Sequence, residues 1–261
     1  MLLIDPPPSP RDLHFRVLGI PVRIHPWFWI VSVLLGLGGS GPADPLQTLV
    51  WVAVMLVSIV VHELGHAFLQ RRFGGNPRIT LYGLGGLAIC DDCDRSPRSQ
   101  VLISLAGPMA GFVLAAVVAL VVRATGHAIG FAPTSDEVDW ESLGIHSAVI
   151  QPMILFSVYF EPLASPLANH VVADLLQINI LWGLINLLPI YPLDGGRVAR
   201  ELFTLNHARR GIVQSLWLSM AAAGAMAVFG LTRGSIFTAL MFGYLAYANY
   251  QTLQAYEQHW R

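Results

Sequence analysis

The short stretch His62-Glu63-Leu64-Gly65-His66 has the residue types and spacing that hold a hydrolytic metal. On a helix, four residues turn about 400°, so His62 and His66 share one face and two imidazoles reach one ion. Glu63 lies beside them, placed to hold a water on that ion, and the donor set suits Zn2+. In a chain of this composition, chance produces such a pattern on the order of once in a hundred cases. The setting makes chance a poorer account still. The stretch sits inside an apolar run over residues 49–68, where two histidines and a glutamate are costly unless satisfied.

Catalytic zinc needs a third protein ligand and an open fourth position. Asp194 is the candidate, at the end of Asn186-Leu187-Leu188-Pro189-Ile190-Tyr191-Pro192-Leu193-Asp194-Gly195-Gly196-Arg197. Pro189 and Pro192 forbid a regular helix there. Broken backbone at membrane depth is tolerated only where it is packed in protein or lines a wet cavity. The competing reading of Asp194 is an ordinary helix N-cap for a segment starting near Gly196. The asparagine, two prolines and paired glycines around it favour a ligand.

The composition says what must position these groups. Hydrophobic residues make up 54% of the 261 residues and charged residues 12%, about half the roughly 25% usual in soluble chains. Several apolar runs approach or exceed the roughly 18 residues of a membrane span. The expected fold class is an all-α polytopic membrane protein of about six transmembrane helices, with a small membrane-associated β-hairpin or sheet. The spans are expected near residues 26–38, 45–70, 100–122, 171–188, 212–231 and 235–250, and no signal peptide is expected. Residues 1–13 read as a disordered or surface-lying tail, and residues 14–24 as a short strand. Residues 78–89, from Arg78 to Ile89, have two apolar arms around Gly83–Gly86 and read as a β-hairpin. The second part of the long loop, residues 145–160, is expected to lie on the membrane surface or dip into it. Its first part is acidic, with Asp136, Glu137, Asp139 and Glu141. Cys90 and Cys93 read as incidental loop thiols, with a redox pair or half a metal site as alternatives.

All 15 basic residues are arginines. With six spans and a cytoplasmic N-terminus, only Arg123 and Arg233 fall outside, which is a strong positive-inside bias. His62 then lies about 13 Å from the cytoplasmic end of its span. Asp194 lies at the cytoplasmic end of another span, so the two approach from one side. The expected location is a prokaryotic cytoplasmic (inner) membrane, with both termini cytoplasmic and the site toward that face.

The pairing of His62-Glu63-Leu64-Gly65-His66 with Asn186, Pro189, Pro192, Asp194 and Gly195 resembles the site-2 protease family of zinc intramembrane metalloproteases. Residues 15–22 resemble the lead-in of the six-span members, and Ala106-Gly107-Pro108-Met109-Ala110-Gly111 the small-residue motif of the middle core span. The resemblance implies one Zn2+ on His62, His66 and Asp194, with Glu63 as catalytic base. It implies cleavage of peptide bonds within or near transmembrane segments of membrane-protein substrates. It also implies a single membrane-embedded protease domain over 1–261, with a tail and strand over 1–25, a three-helix catalytic core over 45–197 and two further spans over 198–261. Asn186 and the hairpin from Arg78 to Ile89 become candidate substrate contacts, the hairpin by offering an edge strand. Residues 124–170 are too few for the PDZ domain of many relatives, and no CBS pair follows, so a compact core is expected. The partners implied are the bilayer and a transmembrane substrate, with no nucleic acid. Two other readings stand beside this one. One is a membrane metalloprotease with a glutamate ligand, for which Glu201 is the downstream candidate. The other is a non-proteolytic metal-binding membrane protein or transporter.

Overall fold

The computed structural model describes residues 5–37, 44–83, 85–133, 148–153, 156–205 and 207–258. The acidic stretch Asp136 to Glu141 lies outside the described residues. In chain order the elements are β1 (Leu13–Val17), β2 (Ile20–Ile24), α1 (Pro26–Leu37), α2 (Pro45–Arg72), β3 (Arg78–Tyr82), β4 (Gly85–Ile89), α3 (Pro97–Ala124), β5 (Ile129–Pro133), β6 (Ala148–Met153), β7 (Phe156–Phe160), α4 (Pro166–Asn186), α5 (Asp194–Thr204), α6 (Ala208–Thr232) and α7 (Ile236–Gln258).

The three helices that carry or flank the site start in one way. A capping side chain is followed by proline at the first helical position, where its missing N–H costs nothing. Asp44 accepts from the Leu46 N–H at 2.9 Å, Ser96 from the Ser99 N–H at 3.4 Å and Ser165 from the Ala168 N–H at 3.4 Å. The α2 helix stops at the glycines. Gly74 takes φ +87°, and the Gly74 and Gly75 N–H groups close on the Arg71 and Gln70 carbonyls, each at 3.0 Å.

Among the described residues, α2, α3, α4 and α6 are long and apolar enough to cross a membrane. The most apolar stretch of α2 is 50% buried against 22–28% in the other three, which makes α2 the central helix. Outward-facing Leu120, Trp217 and Leu231 are more than half exposed, the surface expected against lipid tails. Two of the six expected spans are not among these four. The described part of α1 has 12 residues, about 18 Å of helix against a hydrocarbon core of about 30 Å. The α7 helix has 23 residues, but its C-terminal end carries Asn249, Gln251, Gln254 and Glu257.

The N-terminal region is more ordered than the sequence alone implied. Residues 13–24 form a hairpin rather than one short strand. Leu18 and Gly19 make the turn at φ 51° and 79°. Asp5 and Asp12 pair with Arg23, so the described part of the preceding segment is tied down. The hairpin over residues 78–89 forms as expected. The two hairpins join through parallel pairing of β2 and β3, with Val22 opposite Ile79 and Ile24 opposite Leu81, to give the order β1-β2-β3-β4. Alternate residues Ile20, Val22 and Ile24 of β2, with Ile79 and Leu81 of β3, are buried with Val54, Met55, Ile59 and Leu64 of α2. The strand β4 is left as an edge.

The described part of residues 145–160, expected on or in the membrane surface, forms β6 and β7, which with β5 make an antiparallel sheet of order β5-β7-β6. Val158 and Phe160 pack against Ala115, Val118, Val122 and Leu176, so the apolar character of the segment fills a protein core. Cys90 and Cys93 are joined by a disulfide, not free thiols. The neighbouring Asp92 accepts from both the backbone and side-chain amides of Asn76, at 2.9 and 2.7 Å. Those amides hold its carboxyl below the usual carboxylate range.

One buried polar contact joins α2 to α4. Asn179 Nδ2 donates to Ser58 Oγ at 2.9 Å and to its own Leu175 carbonyl at 2.8 Å. Ser58 lies one turn before His62 and Asn179 two turns before Asn186, so the contact sets the relative depth of the two functional stretches. A double-mutant cycle with Ser58→Ala and Asn179→Ala, followed by thermal unfolding in detergent, is expected to return a coupling of about 0.5–1.5 kcal/mol. A coupling of zero would remove the contact from the forces that fix helix depth.

Candidate metal centre

The two histidines sit mid-helix in α2 and point at α3 and at the start of α5. His62 Nε2 lies 3.2 Å from Asp194 Oδ2 and 3.2 Å from His66 Nε2. His66 Nε2 lies 3.4 Å from the same carboxylate oxygen. Three lone-pair atoms thus form a nearly equilateral triangle. Tetrahedral ligands at about 2.0–2.1 Å from a zinc ion sit about 3.3 Å from one another. The donor set and its spacing therefore fit zinc. His62, His66 and Asp194 are 4%, 5% and 6% exposed, so all three are withdrawn from bulk solvent.

The orientation of one imidazole is fixed from outside the ligand set. His66 Nδ1 lies 2.7 Å from the Ile103 carbonyl. A carbonyl can only accept, so Nδ1 carries the proton and Nε2 turns its lone pair to the shared point. Glu63 is buried, with a carboxylate oxygen within 4.8 Å of a ring nitrogen of each histidine. It stands beside the triangle rather than as one of its corners.

Asp194 is the first residue of α5, and the N-cap position is Leu193, which makes no side-chain cap bond. The ordinary capping role therefore does not describe this aspartate. Its side chain turns across to α2 instead, and the N-terminal end of α5 favours the negative charge. Glu201 faces elsewhere. It lines a cavity of about 220 Å3 together with Gln70, Cys90 and Ile103.

Small residues make room for the site. A Cβ on Gly107 of α3 would overlap the Nε2 atoms of both His66 and His62, so that helix lies directly against the imidazoles. A Cβ on Gly65 would overlap the Ala106 carbonyl. A Cβ on Gly86 of β4 would run into the Glu63 side chain. Ala106-Gly107-Pro108 was read only as part of a small-residue motif, with no sign that the histidine pair lies against it. The Ile103 carbonyl, an ordinary backbone group, had no sequence signal at all. Asn186, the last residue of α4, is buried with its Nδ2 donating to the Trp182 carbonyl at 3.0 Å. His170 lies apart, between the Pro166 carbonyl and Gln47.

The comparison with known proteins agrees with this geometry. Residues 50–228 match the family model described as peptidase family M50. The chain belongs to that family, the site-2 proteases. It is similar to the zinc metalloprotease MJ0392 of Methanocaldococcus jannaschii, 24% identical over 191 residues, covering 73% of this chain and 44% of the relative. It is also similar to Rip3 of Mycobacterium tuberculosis (strain H37Rv), 29% identical over 245 residues, covering 84% and 53%. The chain thus spans about half the length of these curated relatives. Among solved structures, the site-2 protease from Methanocaldococcus jannaschii superposes with TM-score 0.55 over 93% of this chain and 95% of that one, at 22% identity, which establishes a shared fold.

Close contact between α3 and the imidazoles makes one position sensitive. Gly107→Ala is expected to weaken zinc affinity at least about tenfold, the loss that follows when the surroundings of metal-binding histidines are disturbed. Gly111→Ala, one turn further on, meets only an ordinary 3.4 Å contact with the Asn179 carbonyl and should bind zinc like the parent. Competition with a chromogenic chelator measures both.

Proposed function

We propose that this chain is a zinc-dependent endopeptidase that cleaves peptide bonds within or near transmembrane segments of membrane-protein substrates. The observation that carries the reading is the convergence of His62, His66 and Asp194 beside Glu63, buried between helices apolar enough to span a bilayer. One ion is proposed, held by the two Nε2 atoms and Asp194 Oδ2. Zinc, when bound, supplies the Lewis acidity that lets a water attack a peptide carbonyl at neutral pH. Glu63 takes the proton the attacking water loses and hands it to the departing amine nitrogen. His66, locked through Nδ1 on the Ile103 carbonyl, keeps its Nε2 aimed at the reacting point. Burial of the whole group excludes bulk water and strengthens each of these electrostatic interactions.

Peptide hydrolysis needs an extended, exposed carbonyl, so the substrate helix must locally unwind. We propose that the unwound segment pairs with the free edge of β4, in the hairpin over residues 78–89. Gln70 Nε2 donates to the Ala88 carbonyl at 3.1 Å, which shows that the polar groups of Ala88 face away from β3. By the two-residue alternation of an antiparallel pair, Gly86 faces the same way, beside Glu63. A strand added there would run its carbonyls past the proposed base. Asn186 is proposed to steady the end of α4 through Trp182, with its carbonyl oxygen turned to the substrate backbone. The proposed setting is a six-span topology with a catalytic core over 45–197, cytoplasmic termini and the site nearest the cytoplasmic face of a prokaryotic inner membrane. Arginine placement supports it.

Glu63→Gln is expected to lower cleavage of a model transmembrane substrate by about 10²–10⁴-fold while leaving bound zinc at the parental level. Undiminished cleavage by that variant would remove Glu63 from the chemistry. Stripping the metal from the purified protein with 1,10-phenanthroline should abolish cleavage, and added zinc should restore it. Activity that survives metal removal would end the metalloprotease reading.

A further inference from the structure

Between the end of α4 at Asn186 and the start of α5 at Asp194 the chain has no regular structure, yet Asp194 must arrive within a few tenths of an ångström of its place. Most of the backbone N–H groups in this link are satisfied locally. Leu187 and Leu188 donate to the Gly183 and Ile185 carbonyls, Ile190 to Leu188 and Leu193 to Ile190. Pro189 and Pro192 have no N–H to place. Tyr191 is the exception. Its N–H donates to Ser219 Oγ of α6 at 2.9 Å, and its carbonyl accepts from Asn249 Nδ2 of α7 at 2.6 Å.

Both partner side chains are withdrawn from solvent. Ser219 and Asn249 are 1% and 2% exposed, and at such depth an idle polar group costs free energy. Each is also braced on its own helix, Ser219 Oγ on the Ser215 carbonyl and Asn249 Nδ2 on the Leu245 carbonyl, both at 2.8 Å. The neighbouring Ile190, fully buried, is packed among Ala223, Phe242 and Leu245. Two helices that contribute no ligand thus grip one residue from both backbone sides, three positions before the aspartate.

We propose that Ser219 and Asn249 are positioning residues for the metal centre, acting through the backbone of Tyr191 to hold the Asp194 carboxylate against His62 and His66. The inference rests on Asp194 being a metal ligand. It gives α6 and α7, which supply no ligand, a part in the chemistry. Release of Tyr191 leaves the His pair intact but lets Asp194 swing, so metal affinity falls first.

The test uses the full chain in detergent, with zinc affinity from chelator competition, cleavage of a transmembrane substrate at several zinc concentrations, and thermal unfolding. Ser219→Ala and Asn249→Leu are expected to weaken zinc binding about ten- to a hundredfold. Their kcat should fall at limiting zinc with KM unchanged, and excess zinc should restore most of it. Gly230→Ala serves as the comparator. Its new Cβ meets the Ala239 backbone nitrogen at 2.7 Å and so disturbs the α6–α7 packing away from Tyr191. A loss of thermal stability matching that of Asn249→Leu, with parental zinc affinity, supports positioning over simple packing. Equal zinc losses in Gly230→Ala and in the two polar variants would overturn the inference, as would parental zinc affinity in both polar variants. Asp194→Ala separates this from the underlying assignment. If it loses zinc while Ser219→Ala and Asn249→Leu do not, the positioning role alone fails. If Asp194→Ala itself binds zinc like the parent, the ligand assignment fails with it. Should Asn249→Leu not fold, Ser219→Ala decides by the same measurements.

Discussion

Two imidazoles and a carboxylate cannot rest inside an apolar helix bundle as isolated groups. Each carries a desolvation cost of several kcal/mol unless something answers its charge and its hydrogen-bonding capacity. Here they answer one another around a point that a zinc ion fits, with sides of 3.2–3.4 Å. The remaining ring N–H of His66 is spent on the Ile103 carbonyl. Much of the surrounding architecture follows from that requirement. The central helix α2 must be enclosed, α3 must present a surface without side chains, and a third element must deliver an acid from a distant part of the sequence.

Close approach is the means. Where α3 meets the histidines, even one methyl group does not fit at Gly107. Without water to drive helix association, van der Waals contact and buried polar pairs hold such helices together, and small residues let the backbones come near. The Ser58–Asn179 contact then fixes how far α2 and α4 slide along each other. The histidines, the end of α4 and the acid that follows it are therefore set in depth by packing rather than by the metal alone.

The convergence of His62, His66 and Asp194 was legible in the sequence because it is written in short, rigid patterns. An i, i+4 histidine pair on a helix can be placed from geometry, and prolines flanking a buried aspartate announce irregular backbone. Helix starts were read less well. The expected spans at residues 100 and 171 begin three and five residues after Pro97 and Pro166, because the capping pairs Ser96-Pro97 and Ser165-Pro166 lie outside the apolar runs. What was not legible depends on partners far apart in the chain. Residues 13–24 hid a hairpin because its turn, Leu18-Gly19, lacks the usual Asn-Gly or Asp-Gly signal. The apolar run over residues 145–160 could be placed in lipid or in a protein core, and periodicity cannot tell those apart. It became β6 and β7 because α3 and α4 offered Val118, Val122 and Leu176 to cover. Ser219 and Asn249 carry no sequence signal, because each is an ordinary small or polar residue in one of the two last helices, outside the expected three-helix core.

The edge strand β4 draws these constraints together. An unpaired strand edge ordinarily invites aggregation, yet the edge of β4 is partly engaged, with Gln70 on the Ala88 carbonyl, and the buried Glu63 lies over Gly86, where no side chain stands between them. A substrate that stays helical has no backbone groups to offer such an edge and keeps its carbonyls in its own hydrogen bonds. On the proposed function, one that unwinds would gain partners on β4 and bring a carbonyl to the site in the same motion. On the proposed function, selection among transmembrane segments then turns on how readily each unwinds near the depth of Glu63. Helix-weakening residues in the substrate, rather than a particular side chain beside the cleaved bond, become the feature the enzyme reads.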